Sequence, residues 1–275
     1  MFSHQHHHWA YVWIPALAAF MWCATLLAMI ITWAAQGRPI YVSEDGTIPF
    51  ISDIGADILK PLFIVGGSIT AVGFFLSLVI ERWLRHTGRL IPNMRRREKV
   101  FNWLAVLGAF IGGAGLILLT IFDTKRHTSL HRVFLLVFMV GVALSAIFTI
   151  LEYRWISKDF GEIRKLKATY LAKALIAGIL IILAIVFAVF LTQNGTKADN
   201  VDAVLEWTIA FGFTFYLLTF WYDLRMSKGM HRGQLGRENL MAQTNGSVRP
   251  SYATDGTHGA YGQPAYGQGG PTYAV

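Results

Sequence analysis

"FNWLAVLGAFIGGAGLILLTIFDTKRHTSLHRVFLLVFMVGVALSAIFTILEY", residues 101–153, holds two long apolar runs parted by one short polar stretch. Crossing a hydrocarbon core of about 30 Å takes roughly 20 apolar residues in helical form, and Phe101 to Phe122 and Val133 to Leu151 each meet that length. Neither run alternates with the two-residue period of a membrane barrel strand, so each reads as a transmembrane helix. Residues 123–132 then form the link between them.

Four more runs of this kind flank the pair: Trp9 to Gln36, Pro61 to Ile80, Ala174 to Thr192 and Val204 to Tyr222. Composition agrees, with 54% hydrophobic and 15% charged residues. The chain falls outside the range of soluble domains. The predicted fold is an all-α membrane protein, a bundle of six transmembrane helices (9–36, 61–80, 101–122, 133–151, 174–192 and 204–222) within a membrane domain of residues 1–230. Residues 231–275 are polar and rich in Gly, Tyr and Gln; such a segment cannot bury a core and is expected to be a disordered cytoplasmic tail. The first run has no Lys or Arg before it and no small-x-small cleavage site after it, so it is expected to stay as a helix. Cys23 is the only cysteine, which excludes an intrachain disulfide.

Charge orients the bundle. Of 24 Lys and Arg, 18 lie in residues 81–100, 152–173 and 223–275. The positive-inside rule places these segments, and both termini, in the cytosol, although Arg38 after the first run dissents locally. Asn194-Gly195-Thr196 then faces outward and Asn245-Gly246-Ser247 inward, a pair usable as glycosylation reporters. The net charge of +8 sits beside the membrane, so nucleic acid is not an expected partner.

No span carries an ionisable residue near its middle, which argues against a proton-coupled transporter or a voltage sensor. Helices in lipid associate through close backbone approach at small residues. Gly108-x-x-x-Gly112, Ala109-x-x-x-Gly113 and Gly115 in the third run, with Gly66, Gly67, Ser68 and Gly73 in the second, therefore mark the expected tight faces.

Polar residues gather at both membrane boundaries. On the outer side are Asp53, Asp57, Asp123, His127, His131, Asp199, Asp202 and Glu206. On a helix, His127 and His131 at i, i+4 would share a face, a spacing that suits a metal. Against this, Thr128 and Ser129 are good N-cap residues, a helix starting there leaves His127 outside it, and no third ligand stands at fixed spacing. The favoured reading is a turn with polar ends in the headgroup zone, with no metal and no cofactor. On the inner side, "ERWLRHTGRLIPNMRRREKV" and "EYRWISKDFGEIRKLKATYLAK" interleave cations with aromatic and aliphatic residues, and such loops attract anionic lipid. The expected lipid- or partner-binding residues are Arg82, Arg85, Arg95, Arg96, Arg97 and Lys99, with Arg164, Lys165 and Lys167. No role is assigned to His4, His6, His7 and His8. No P-loop, dinucleotide-binding glycine pattern, nucleophile elbow or zinc-protease helix is present.

Three stretches carry a resemblance. "IPFISDIGAD" before the second span, "FDTKRHTSLHRVF" between the third and fourth, and "LEWTIAFGFTFYLLTFWYDL" in the sixth are similar to the signatures of the Frag/DRAM/Sfk family of six-span proteins, over about Tyr11 to Met226. That family includes the damage-regulated autophagy modulators, the fungal Sfk proteins and the N-terminal domain of Cwh43-type proteins. The resemblance implies that Ser52, Asp53, Gly55, His127, His131, Glu206, Trp207 and Asp223 belong to the family pattern. Length and tail look most like a fungal Sfk-type protein. This implies a non-enzymatic regulator at the plasma membrane that supports recruitment of a phosphatidylinositol 4-kinase complex, or the organisation of lipids. The alternative is a lipid-modifying protein of the outer or luminal leaflet, of the type that remodels glycosylphosphatidylinositol anchors, or an autophagy modulator of endolysosomal membranes. In that case Asp53, Asp123, His127, His131 and Glu206 would act as metal ligands or as general acid and base.

Overall fold

The computed structural model describes residues 10–42, 46–91, 96–159, 164–191 and 195–228, without the side chains of 157–168. Arg95, the N-terminal histidines and the tail at 231–275 lie outside the described residues, as do the side chains of Arg164, Lys165 and Lys167. A 3₁₀ turn, Ala10–Trp13, leads into α1 (Ile14–Ala35), followed by the short α2 (Ile51–Gly55), α3 (Lys60–His86), α4 (Arg96–Ile121), α5 (Thr124–Asp159), α6 (Arg164–Phe190) and α7 (Thr196–Arg225). All but α2 are long and apolar enough to cross a membrane, giving six spans and, among the described residues, no strand.

The helices overrun the apolar runs that announce them. α3 continues past Ile80 to His86, and α4 begins at Arg96 rather than Phe101. Lipid dictates where side chains must be apolar, not where backbone hydrogen bonding must stop, and Arg, Lys and Glu are good helix formers in the headgroup zone. Pro15 and Pro61 sit in the first turns of α1 and α3, where the missing N–H costs nothing. α1 ends through Gly37 at φ +81°, which lets the Arg38 N–H turn back to the Trp33 carbonyl at 3.0 Å.

The link at 123–132 is mostly helix. α5 starts at Thr124, capped by Asp123, whose Oδ1 accepts the Arg126 N–H at 2.7 Å. It then breaks at His127 (φ −137°, ψ 47°) before resuming. The N-cap signal at Thr128 and Ser129 thus marks a kink inside the helix rather than its beginning.

In space the spans form a closed ring in the order α1, α3, α4, α5, α6, α7 and back to α1. α3 and α7 also meet across the middle, where Phe74 packs edge-on against Phe213 and Phe220 with ring centres 5.5 and 5.9 Å away. Trp22 ties α1 to α7 by donating to the Ala210 carbonyl at 2.8 Å.

Glycines set the closest seam. A Cβ on Gly108 would lie 2.7 Å from the Ser145 nitrogen, and on Gly112, 2.8 Å from the Val142 nitrogen, so α4 and α5 touch backbone to backbone. Gly113 differs: a Cβ there would meet the Ala71 carbonyl at an ordinary 3.4 Å, so the overlapping Ala109 to Gly113 pair is not a tight contact. On α3, Gly66 and Gly73 admit Thr25 and Ala18 of α1, while Gly67 faces Thr120 of α4.

Candidate functional site

The three stretches singled out in the sequence converge at the acidic end of the ring. Glu206 and Trp207, about three turns inside α7, grip the segment entering α2. Glu206 Oε2 accepts the Ile51 N–H at 2.7 Å, and the Trp207 indole donates to the Pro49 carbonyl at 3.0 Å. Asp53 accepts the adjacent Phe50 N–H at 3.0 Å, so two carboxylates hold successive amides at the start of a helix, where donors are otherwise unsatisfied. Asn200 Oδ1 accepts from the backbones of Thr47 and Ile48 at 2.7 and 3.1 Å. Thr124 donates to the Ser52 carbonyl at 3.3 Å, which joins α5 to the same knot. Gly55 is required by packing, because a Cβ would strike Phe63 and Met29.

The five side chains proposed as an alternative catalytic set do not share one centre. Asp123 pairs with Lys60 and caps α5. Burial works to raise its pKa, but the Lys60 ammonium and the Arg126 amide outweigh it and hold the carboxyl below the usual range. His131 is buried, with Nδ1 2.9 Å from both the Leu119 and Phe122 carbonyls. Both partners are acceptors, so Nδ1 carries the proton and satisfies the open end of α4. His127 is exposed and set edge-on to Phe122, with ring centres 5.5 Å apart. The kink between them takes the two imidazoles out of the shared face, and no group of three metal-ligating side chains occurs among the described residues.

The opposite, basic end holds a buried ionic network that composition did not foreshadow. Arg85 on α3 donates to Glu81 at 2.8 Å and to the Ile91 carbonyl at 2.9 Å, and lies 3.6 Å from Glu152 of α5. Tyr153 donates to Glu81 at 2.7 Å, and Asn102 of α4 bridges to both oxygens of Glu152 at 2.8 and 3.0 Å. Lys173 of α6 pairs with Asp223 of α7, its ammonium 3.8 Å from the Phe220 ring. The first set of contacts joins α3, α4 and α5, and the second joins α6 to α7. Arg85 is only 5% exposed, which corrects its place among the lipid-facing cations. Arg82 is half-buried, donating to Asn102 at 2.8 Å and lying 3.7 Å over the Trp103 ring. Arg96, Arg97 and Lys99, at the start of α4, are exposed.

Glu81 and Arg85 at i, i+4, and Lys173 set in "ATYLAKAL", were the available signals for the network. Reading them required knowing which side of each helix faces inward.

An apolar cleft with an internal volume of about 90 Å³, lined chiefly by α5, α6 and α7, opens to the side of the bundle. Among the described residues that line it, Glu206 and Tyr216 carry the side-chain oxygens, and the Trp22 indole N–H is taken up by the Ala210 carbonyl. α6 buries the smallest share of any span, and Leu175, Ile179, Ile182 and Ile185 stand exposed along it, as a lipid-facing helix requires.

Comparison with known proteins gives a consistent picture. Residues 10–227 match the Frag1/DRAM/Sfk1/Cwh43P N-terminal domain. "Protein sfk1" of Schizosaccharomyces pombe is 28% identical over 225 residues, covering 81% of this chain and 66% of the relative. "Protein SFK1" of Saccharomyces cerevisiae is 26% identical over 192 residues, 59% of this chain and 54% of the relative. "DNA damage-regulated autophagy modulator protein 1" of Homo sapiens is 28% identical over 135 residues, 46% of this chain and 56% of that protein. The chain thus spans between half and two thirds of the length of these relatives. No solved structure matches.

Proposed function

Since this chain belongs to the Frag1/DRAM/Sfk1/Cwh43P N-terminal domain family, we propose that it is a non-enzymatic membrane regulator that organises lipids and supports recruitment of a phosphoinositide kinase assembly at the plasma membrane. In this reading the basic end and both termini face the cytosol. The observation that carries it is the division of labour among the cations. Arg85 and Lys173 are consumed in buried pairs, which stiffens the end of the bundle, while Arg96, Arg97 and Lys99 are left exposed on the platform so formed. Exposed cations beside an anionic leaflet gain about 1 kcal/mol each. Metal-assisted or acid-base chemistry at the acidic end has less support, because Asp53, Glu206, Asp123 and His131 each already hold a backbone group or an ion pair there.

The test is a triple substitution, Arg96→Gln, Arg97→Gln and Lys99→Gln, in the full chain. Reconstituted protein is expected to lose about tenfold or more in attraction of phosphatidylinositol-4-phosphate-containing vesicles, and cells are expected to recruit less of the kinase complex. Unchanged vesicle docking and kinase recruitment with normal surface delivery would overturn the reading.

A further inference from the structure

We infer that the cleft between α5, α6 and α7 is a binding site for a single sterol-like lipid, a rigid molecule with one hydroxyl, which enters sideways from the bilayer and donates that hydroxyl to Glu206. This builds on the lipid-organising reading but is independent of the cationic platform.

The argument starts from the polar atoms. Glu206 Oε2 is held by the Ile51 amide, and among the described residues no hydrogen bond reaches its Oε1. That carboxyl lines the cleft. An acceptor on the wall of an otherwise apolar space selects a ligand with a donor at one end. Tyr216 supplies a second observation: the residue is 1% exposed, its hydroxyl has no well-formed hydrogen bond, and it also lines the cleft, with the Thr149 side chain as a polar neighbour.

Position selects the rest of the ligand. Glu206 and Tyr216 are ten residues apart on α7, about 15 Å by helical rise, half of a hydrocarbon core of about 30 Å. The occupant therefore spans one leaflet with its polar end at the outer boundary. Asp53 and Asp202 lie close enough to Glu206 to act on it electrostatically, so a phosphate headgroup would be repelled where an uncharged hydroxyl is accepted. The walls favour a flat body over a flexible chain. Ala143 and Ala146 of α5, Ala177 and Ala184 of α6 and Ala210 of α7 are short side chains among bulkier Leu, Ile and Phe neighbours, which leaves room for a flat face, and a rigid ring system loses little conformational freedom on binding.

The experiment uses the full chain in nanodiscs with a diazirine-bearing sterol. Saturable labelling is expected on peptides of α5, α6 and α7, competed by unlabelled sterol but not by phosphatidylcholine, phosphatidic acid or diacylglycerol. Ala184→Phe fills the cleft from a half-buried position and is expected to reduce labelling about tenfold or more, and Glu206→Gln, which retains a weaker acceptor, about tenfold. Because Glu206 also holds α2, the Ala184→Phe variant decides the matter if Glu206→Gln is unstable. Labelling insensitive to Ala184→Phe, mapped outside the cleft, or competed equally by phospholipid or diacylglycerol would overturn the inference. None of these results alters vesicle docking by Arg96, Arg97 and Lys99, so the two proposals fail separately.

Discussion

The two ends of the bundle satisfy their polar groups by different means. At the acidic end, side chains serve backbone: Glu206 and Asp53 hold the amides of α2, Asp123 caps α5, and His131 closes α4. At the basic end, side chains serve each other across helices, with Glu81, Arg85, Glu152, Tyr153 and Asn102 linking α3, α4 and α5, and Lys173 with Asp223 linking α6 and α7. Removing a cap exposes one local donor or acceptor. Removing one partner of a buried ion pair strands a charge inside the protein, and that penalty is shared by every helix it joined.

The largest effect is expected from Lys173→Met, which leaves Asp223 buried and unpaired and should cost about 3–5 kcal/mol in unfolding measurements on the purified protein. The double variant Lys173→Met with Asp223→Leu should recover most of that loss, since replacing a whole buried pair by apolar residues is often neutral. A double variant as unstable as the single one would mean that the pair specifies the α6–α7 contact itself. Glu206→Ala should cost less, about 1–2 kcal/mol, with faster hydrogen exchange confined to the Ile51 amide and its neighbours. Spread of that exchange into α3 or α4 would erase the contrast between a local and a shared device.

The Lys60–Asp123 pair gives the contrast a pH signature. The Asp123 carboxyl is held below its ordinary range, so its stabilisation is complete above an unfolded value of about 3.9 and is lost as pH falls through the lower folded value. Asp123→Asn is expected to remove about 1 kcal/mol at neutral pH and to flatten the acid limb of the melting curve; an unchanged limb would assign acid sensitivity elsewhere. The smallest effect falls to the exposed cations. Arg96→Gln, Arg97→Gln and Lys99→Gln should leave stability within about 0.5 kcal/mol, measured by the same melts, while changing vesicle docking.

Much of this molecule was legible residue by residue. Gly108 and Gly112 announced a tight face on α4, because only a missing Cβ lets two backbones approach as α4 and α5 do there. The paired motifs around Pro49 and Trp207 were visible as strings, but not as partners, since the hydrogen bonds between them join residues more than 150 positions apart. His127 and His131 offered a shared face through periodicity, but the i, i+4 spacing holds only on an unbroken helix, and the backbone turns at His127. Arg85 misled through composition, since a cation in a basic stretch reads as surface until Glu81 and Glu152 are found inside with it.

Sequence alone determined how many times the chain crosses hydrocarbon and which boundaries are rich in cations, because transfer into lipid acts on the local composition of each run. Only the tertiary structure decided which charges turn inward and where α6 stands off to leave a cleft. Those outcomes depend on the rotation of each helix about its axis and on its neighbours in the ring, and no single run contains either.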